Sequence, residues 1–209
     1  MKIERLRQFF SLSFVLILIA GCSSNQLPEA TTRPALTTSI DDYKYLIGPG
    51  DSLRIFVWRN PEVSGNFVVR PDGMITTSLV EDIPVTGKTP TALSREIEVV
   101  LSKYVRDPIV TVTVTRFNGP YSEQVRVIGE AAQPQAINYK EDMSLLDLMI
   151  QVGGITEFAD GDDSKLIRVE NGVQIEYTVD IDRLIRYGDI SANVDILPGD
   201  ILIIPEAWF

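Results

Sequence analysis

The sequence Ile47-Gly48-Pro49-Gly50-Asp51-Ser52-Leu53-Arg54-Ile55-Phe56-Val57 joins a tight turn to an alternating strand. Proline fixes φ and glycine accepts a positive φ, so the first five residues predict a turn. Leu53, Ile55 and Val57 recur at every second position and therefore share one face of the predicted strand. The pattern Ile-x-Pro-Gly-Asp-x-Leu-x-Ile returns in residues 196–204. We interpret it as one turn used twice, with the aspartate accepting hydrogen bonds from backbone amides ahead of a strand.

In the first half of the chain, residues 43–119, the sequence predicts a hairpin and, further along, a long strand. Pro71-Asp72-Gly73 lies between the apolar segments 67–69 and 74–77 and predicts a hairpin turn. Residues 109–117 alternate valine with threonine, which predicts a strand with one buried and one exposed face.

A helix is predicted between these two features. Thr89 is suited to the N-cap and Pro90 to the first helical position. Four apolar residues then fall three or four positions apart and are expected to line one buried face. They are Leu93, Ile97, Leu101 and Tyr104.

The second half, residues 120–209, also combines strands with short helices. Ser144 to Asp147 has a capping-box pattern at the start of an apolar helix, and Gly153-Gly154 is expected to end that helix. No lysine follows these glycines at the spacing of a phosphate-binding loop. Asn171-Gly172 predicts a hairpin, and residues 201–204 a last strand. The chain is therefore predicted to be α+β, with two small domains of short strands and one or two helices each.

The amino end has the pattern of a lipoprotein export signal. Three cations precede an apolar run at residues 9–20, which closes with Leu18-Ile19-Ala20-Gly21-Cys22. The run is too short to cross ~30 Å of hydrocarbon as a helix. We predict that residues 1–21 are a signal peptide, that cleavage falls between Gly21 and Cys22, and that the Cys22 thiol is lipidated. Residues 22–42, rich in hydroxyl groups and proline, are predicted to be a disordered tether.

Composition excludes several classes of partner and chemistry. The formal net charge of −10 argues against nucleic acid or anionic lipid as a partner, since both bind basic patches. The absence of histidine removes the commonest general base and the commonest transition-metal ligand. Cys22 is the single cysteine, so disulfides are excluded and the fold must rely on burial.

Two groups of acidic residues allow an enzymatic alternative, a periplasmic glycan hydrolase that uses paired carboxylates. One group is Asp160, Asp162 and Asp163, and the other is Glu81 and Asp82. With 29 Asp+Glu in the chain such groups arise by chance, and their spacing shows no substrate cleft. The first group also lacks the twelve-residue calcium loop with its closing glutamate. No catalytic residue, metal site or cofactor is therefore predicted.

Trp58 and Arg59 are the candidate glycan contacts. They leave the first strand together, where an indole ring can stack on a sugar. Packing in the core or in an interface is the alternative role for the tryptophan.

Taken in order, the motifs resemble the bacterial polysaccharide export outer-membrane lipoproteins. The first half resembles their polysaccharide-export domain in Gly50-Asp51-x-Leu53-x-Ile55, Val69-x-Pro71-Asp72-Gly73, Val85-x-Gly87-Lys88-Thr89 and Asp107-Pro108-x-Val110-Thr111-Val112. The second half is similar to a soluble-ligand-binding β-grasp domain (SLBB) in Val127-x-Gly129-Glu130, Ser144-Leu145-Leu146-Asp147, Val152-Gly153-Gly154-Ile155-Thr156 and Lys165-Leu166-Ile167-Arg168-Val169. Residues 203–209 also resemble members found beside exosortase sorting systems.

The resemblance implies a ring of subunits, usually eight, at the outer-membrane end of an exopolysaccharide or capsule exporter. The partners it implies are the polysaccharide, further copies of the chain, and an inner-membrane chain-length regulator that is often a tyrosine autokinase. Ser23 and Ser24 after the cysteine resemble the signal for onward transport, so we expect a lipid-anchored, periplasm-facing protein of the outer membrane.

By this resemblance, the best-studied members continue into an amphipathic helix that forms the pore, whereas this sequence stops at Phe209. We also expect one ligand-binding-like domain here, where larger members have two. We therefore expect a separate outer-membrane barrel as a partner. A structural lipoprotein that binds peptidoglycan or another envelope protein is the remaining alternative, and the neighbouring genes would separate it from an exporter.

Replacing the cysteine tests the export signal. We expect Cys22→Ser to leave an uncleaved or soluble precursor, because the thiol that receives the lipid is gone. Labelling cells with a fatty-acid analogue measures this, and equal label on the wild type and the variant would contradict the lipoprotein prediction.

Overall fold

The computed structural model describes residues 43–208, which form strands and helices around two hydrophobic cores. The strands are β1 (Ser52–Val57), β2 (Gly65–Val68), β3 (Met74–Ile75), β4 (Ile83–Pro84), β5 (Val110–Arg116), β6 (Gln124–Gly129), β7 (Gln135–Asn138), β8 (Ser164–Glu170), β9 (Val173–Val179) and β10 (Ile201–Ile204). The α-helices are α1 (Pro90–Leu101), α2 (Leu145–Val152) and α3 (Ile181–Ile185). The predicted α+β class is confirmed. Among the helices of this region, none has both the length and the apolar character needed to span a bilayer.

The first core lies between a three-stranded antiparallel sheet and α1. The strand order is β2-β1-β5, so the alternating strand after the first turn is the central one. Leu53, Ile55 and Val57 are buried, as their spacing predicts, and they face the helix together with the valines of β5. The short strands β3 and β4 pair with each other and contribute Ile75 and Ile83 to this core.

The predicted hairpin at Pro71-Asp72-Gly73 is only half right. The turn forms, because the Gly73 N–H donates to Arg70 O (2.9 Å) and the Arg70 N–H to Met74 O (2.9 Å). The strands on either side do not pair with each other, since β2 pairs with β1 and β3 with β4. Local turn chemistry predicts where the chain reverses, whereas the sheet partner depends on the first turn, where the Val69 N–H donates to Asp51 O (2.9 Å).

Helix α1 starts as predicted. The Thr89 side chain accepts a hydrogen bond from the Ala92 N–H (3.2 Å), and Pro90 is the first helical residue. Leu93, Ile97 and Leu101 are buried on one face. The prediction that Tyr104 shares that face is wrong. The helix ends at Leu101, so the tyrosine leaves the helical register and its side chain is 63% exposed.

Side chains of α1 also occupy the free edge of β5. The Val110 N–H donates to Glu98 Oε1 (2.9 Å) and the Val112 N–H donates to Ser94 Oγ (3.1 Å). Arg95 Nη2 donates to the carbonyl oxygen of Val110 (3.2 Å). Backbone groups that would pair with another strand are thus satisfied by the helix.

The second core lies under a five-stranded mixed sheet of order β7-β6-β10-β8-β9. The central strands β6 and β10, the first and last of this half, run parallel, and the remaining pairs are antiparallel. Helix α2 follows the β6–β7 hairpin, which gives the β-grasp arrangement expected from the sequence. Strand β7 is absent from the sequence-based prediction. Its sequence, Gln-Ala-Ile-Asn, has one buried apolar residue and carries no clear alternation.

Helix α2 has the predicted capping box, in which the side chains of Ser144 and Asp147 each accept a hydrogen bond from the other's backbone. It ends at Gly153, whose φ of 77° is left-handed. Gly129 at the end of β6 is required for a different reason. A Cβ there would lie 2.0 Å from the carbonyl oxygen of Ile204 on β10.

The face of α1 can be tested by truncation. Leu93→Ala and Leu101→Ala should each lower the free energy of unfolding by ~2–5 kcal/mol, because each leaves a cavity in the first core. Val99→Ala, on the exposed side of the same helix, is the matched control and should cost less than ~0.5 kcal/mol. Chemical denaturation measures all three, and losses below ~1 kcal/mol at both leucines would contradict this assignment.

Candidate functional site

Asp51 is the centre of the turn that precedes β1, and it is fully buried. Its Oδ2 atom accepts hydrogen bonds from the Gly48 N–H (2.9 Å) and the Tyr45 hydroxyl (2.7 Å). Its Oδ1 atom accepts from the N–H groups of Asn118 (2.6 Å) and Gly119 (3.0 Å). A buried carboxylate is stable only when its oxygens are hydrogen-bonded, so these four contacts tie the first turn to the segment after β5.

The two segments that meet at Asp51 are in close backbone contact. A Cβ added to Gly48 would lie 2.0 Å from the carbonyl carbon of Gly119, so only glycine fits there. Tyr45 packs edge-on against Phe117, with ring centroids 5.0 Å apart. Burial and the hydrogen bond to Asp51 raise the pKa of the Tyr45 hydroxyl well above its usual value.

The second copy of the turn uses its aspartate in the same way. Asp200 is fully buried, and its Oδ2 accepts from the Leu197 N–H (2.8 Å), just as Asp51 accepts from Gly48. The predicted role of the aspartate is therefore confirmed at both positions. Asp200 differs in its second partner, because Arg168 donates to both of its oxygens, through Nε (2.9 Å) and Nη2 (2.7 Å). Burial alone would lower the pKa of Arg168, but the hydrogen bond to Asp200 and its charge raise it.

The residues between the two cores pack closely. Tyr43 lies edge-on against Tyr139 of the second core, with centroids 5.0 Å apart, and the Gln124 side chain donates to Asn118 O (3.1 Å). Burial, with smaller effects from nearby acids, raises the pKa of Tyr43 to about 12. The cavity here has a volume of about 10 Å³, about enough for one water. This junction is a structural contact and leaves no room for a sugar.

The solvent-exposed side of the β2-β1-β5 sheet is the more open surface. We call it the outer face, and it consists of the residues that alternate with the buried ones, together with Trp58 just after β1 and Arg116. A shift in the β1–β5 register, between Ser52 and Leu53, brings Arg116 opposite Ser52. They are Ser52, Arg54, Phe56, Trp58, Asn66, Val68, Thr111, Thr113, Thr115 and Arg116. The cross-strand register places Arg54 between Asn66 and Thr113, and Phe56 beside Thr111.

Two aromatic rings meet on the outer face. Trp58 is 54% exposed and Phe56 is 44% exposed, and their ring centroids lie 6.3 Å apart in an edge-to-face arrangement. The backbone N–H of Trp58 donates to Ile109 O (2.9 Å), which extends the β1–β5 ladder by one residue past β1. Packing of Trp58 in the core, one of the two alternative roles, is therefore wrong. Sequence reasoning missed Phe56, although its place between two inward-facing residues was a signal for it.

Arg59 lies in the turn that follows. Its φ of 62° is left-handed, and its side chain is exposed. The turn is fixed by Ser64, whose hydroxyl accepts from the Val57 N–H (2.9 Å) and donates to Asn60 O (3.0 Å). The Asn60 side chain in turn donates to Trp58 O (2.8 Å). Trp58 and Arg59 thus leave β1 together on a loop that is held by side-chain hydrogen bonds.

The first group of candidate catalytic acids is engaged locally. Asp160 accepts from the Asp163 N–H (3.3 Å), and Asp163 pairs with Lys165 (2.7 Å). A side-chain hydrogen bond with Asp180 is the main cause that raises the pKa of Asp162.

The second acidic group is placed in the same local way. Asp82 pairs with Arg70, and Glu81 is exposed beside it. Within residues 43–208 no group of three or more acidic, histidine or cysteine side chains is placed to hold a metal ion. The predicted cleavage and lipidation residues, Gly21 and Cys22, lie outside the described residues.

Comparison with known families accounts for both halves. Residues 39–115 match the family model described as polysaccharide biosynthesis/export protein, and residues 124–178 match the SLBB domain. The chain therefore carries a polysaccharide biosynthesis/export domain, followed by a segment that matches an SLBB domain. The SLBB match stops before β10, which the structure places at the centre of the second sheet.

Several curated proteins are similar to this chain. The EPS I polysaccharide export outer membrane protein EpsA of Ralstonia nicotianae is 30% identical over 187 residues, covering 78% of the chain and 47% of EpsA. The capsule polysaccharide export protein BexD of Haemophilus influenzae is 25% identical, and the match covers 77% of the chain and 43% of BexD. The exopolysaccharide production protein ExoF of Rhizobium meliloti is 28% identical, and the match covers 56% of the chain and 30% of ExoF. The chain thus spans about half the length of these relatives or less.

The Asp51 contacts predict a graded loss of stability. Asp51→Asn should lower the free energy of unfolding by about 2–4 kcal/mol. The asparagine NH2 group is itself a donor, and it would face buried N–H or O–H donors that then lack an acceptor. Tyr45→Phe removes one of the four hydrogen bonds and should cost about 1 kcal/mol. Asp72→Asn, which alters an exposed pair with Arg70, is the control and should cost below ~1 kcal/mol. Urea unfolding measures the series, and an Asp51 variant as stable as the control would contradict this role.

Proposed function

We propose that this chain is a periplasm-facing lipoprotein subunit of an exopolysaccharide or capsule export complex, and that its copies form a ring-shaped conduit to the outer membrane. The observation that carries the proposal is the order of the two family domains on one chain. Each matched segment lies on its own hydrophobic core. The names of EpsA and BexD describe polysaccharide export, and that of EpsA also names the outer membrane.

A lipid at Cys22 would anchor the folded part to the membrane. Residues 22–42 would then act as a tether that holds the two domains away from the lipid surface. Two or three acyl chains give stable anchoring where one does not. The anchor and the outer-membrane location rest on the sequence pattern at residues 18–24.

Assembly into a ring requires contacts that repeat from one copy to the next. Heterologous contacts of this kind close into a ring when the rotation between copies divides a full turn. The sheet of the second core offers β9 and β7 as edge strands. The side chains of β9 are mostly exposed over seven residues, so a neighbouring copy has access to its backbone. An inner-membrane chain-length regulator or tyrosine autokinase is the partner proposed beneath the ring.

The alternative functions have less support from the site. A glycan hydrolase needs a general acid and a general base across a cleft, whereas the two acidic groups serve turns and ion pairs or lie exposed. The fold by itself is also compatible with a structural lipoprotein that binds peptidoglycan, but residues 39–115 match the model described as polysaccharide biosynthesis/export protein.

Deleting the gene distinguishes these functions. We expect the deletion strain to keep synthesising its polysaccharide but to retain it in the periplasm, because the conduit is missing. Quantifying cell-associated and secreted glycan measures this, and a plasmid copy of the wild-type gene is the control. Overlong secreted chains in the deletion strain would favour the hydrolase, and unchanged secretion would contradict a role in export.

A further inference from the structure

We propose that the outer face of the β2-β1-β5 sheet binds acidic polysaccharide, with Phe56 and Trp58 stacking on sugar rings and Arg54 and Arg116 pairing with their carboxylates. This inference deepens the proposed function and rests on it, because it names the surface of the conduit subunit that meets the glycan and the chemical class of that glycan. It also extends the original pair of candidate contacts, Trp58 and Arg59, to a defined surface.

The aromatic part of the argument comes from exposure. A sugar ring presents C–H groups on its flat sides and hydroxyl groups around its edge, so it packs on an exposed aromatic ring and binds polar groups beside it. Phe56 and Trp58 are two adjacent exposed rings set edge to face on the sheet, so each offers a stacking surface to a neighbouring sugar of the same chain. Ile109, also exposed, lies beside Trp58 at the end of the β1–β5 ladder and extends the apolar surface there.

The polar part comes from the threonines of β5. Thr113 lies beside Arg54 and Thr111 beside Phe56 in the cross-strand register, so hydroxyl groups alternate with the arginine and the rings. The Thr115 hydroxyl donates to Ser52 O (3.1 Å). Within residues 43–208 the hydroxyls of Thr111 and Thr113 make no hydrogen bond, which leaves them available to a ligand's hydroxyl groups.

The charge of the outer face differs from that of the chain as a whole. The chain has a formal net charge of −10, yet the ten residues of the outer face include two arginines and no acid. Neither Arg54 nor Arg116 forms an ion pair with another described residue. Arginine binds carboxylates through two parallel hydrogen bonds, so this local excess of positive charge favours an acidic chain over a neutral one.

The open shape of the face also suits a conduit. A ligand that passes through must bind strongly enough to enter and weakly enough to leave. An open sheet face with a few exposed contacts gives modest affinity, whereas a deep cleft would retain the polysaccharide. We therefore expect weak, salt-sensitive binding that is repeated in every copy.

The test uses the full chain, purified in mild detergent, and an oligogalacturonate whose carboxyl groups are either intact or chemically reduced. The reduced form has the same backbone without the charge. By isothermal titration calorimetry we expect the wild type to bind the acidic form several-fold more tightly. Trp58→Ala should weaken binding of both forms about five- to tenfold, since stacking does not depend on charge. Arg54→Gln with Arg116→Gln should weaken only the acidic form and remove the preference.

Matched controls remove a comparable ring and a comparable charge elsewhere. Tyr187→Ala removes a ring that is 81% exposed in the second half, and Arg106→Gln removes an exposed arginine off the outer face. Both should leave the two affinities unchanged, and thermal unfolding should show that all variants are folded. No binding by the wild type, no preference for the acidic form, or equal effects of the control and outer-face substitutions would each overturn the proposal.

Two further outcomes separate this proposal from others. If Trp58→Ala lowers the mass of the assembly in light scattering and leaves glycan affinity unchanged, the outer face is an interface between copies and the proposal is wrong. Secretion by the deletion strain, complemented with each variant, tests the proposed function independently. If deletion blocks secretion while the outer-face variants restore it and bind glycan normally, only the proposed glycan site is wrong. If secretion is normal without the gene, the proposed export function is wrong.

Discussion

The buried carboxylate of Asp51 sets the geometry of the first half of this protein. Its four donors are three backbone amides and a phenol, so it takes up the hydrogen-bonding capacity of two chain segments that are 67 residues apart at Asn118. A carboxylate away from water costs several kcal/mol unless it is satisfied in this way, and the backbone must therefore converge on it. That convergence brings Gly48 against Gly119 and fixes where β1 begins, where β5 ends and where the chain leaves for the second core.

Asp200 shows how the same turn is adapted to a different position. It keeps the local hydrogen bond to the amide three residues earlier, which is inherent to the turn. Its remaining capacity is taken by Arg168 on the neighbouring strand β8, so the second turn is joined to its sheet by an ion pair. In the first turn the corresponding partners are backbone amides of a loop. The short sequence repeat thus encodes the local hydrogen bond, and the surrounding fold decides the long-range partner.

Much of the fold followed from patterns whose physical cause is local. The cap of α1 at Thr89, the capping box at Ser144 and the hairpin at Asn171-Gly172 depend on residues only a few positions apart, and all three are present. The failures involve partners that are distant in sequence. The turn at Gly73 formed but its flanking strands paired elsewhere, Tyr104 left the helix after its last turn, and β7 carries too little alternation to be recognised. For the candidate site, Trp58 and Arg59 were correctly placed at the end of a strand. That they share a face with Phe56, the threonines and two arginines could not be predicted, because this depends on which strands pair and in which register.

The cover that α1 places over β5 makes the first sheet asymmetric. An exposed strand edge is a template on which another strand can be added, and proteins usually block it with charge, with a bulge or with another element. Here Ser94, Arg95 and Glu98 satisfy that edge with side chains, so addition there would first have to break three hydrogen bonds. The opposite edge, β2, is only four residues long and contains a glycine. A further strand can therefore be added to this sheet at one edge only. The edge at β5 is covered by α1, so the added strand would have to pair with β2.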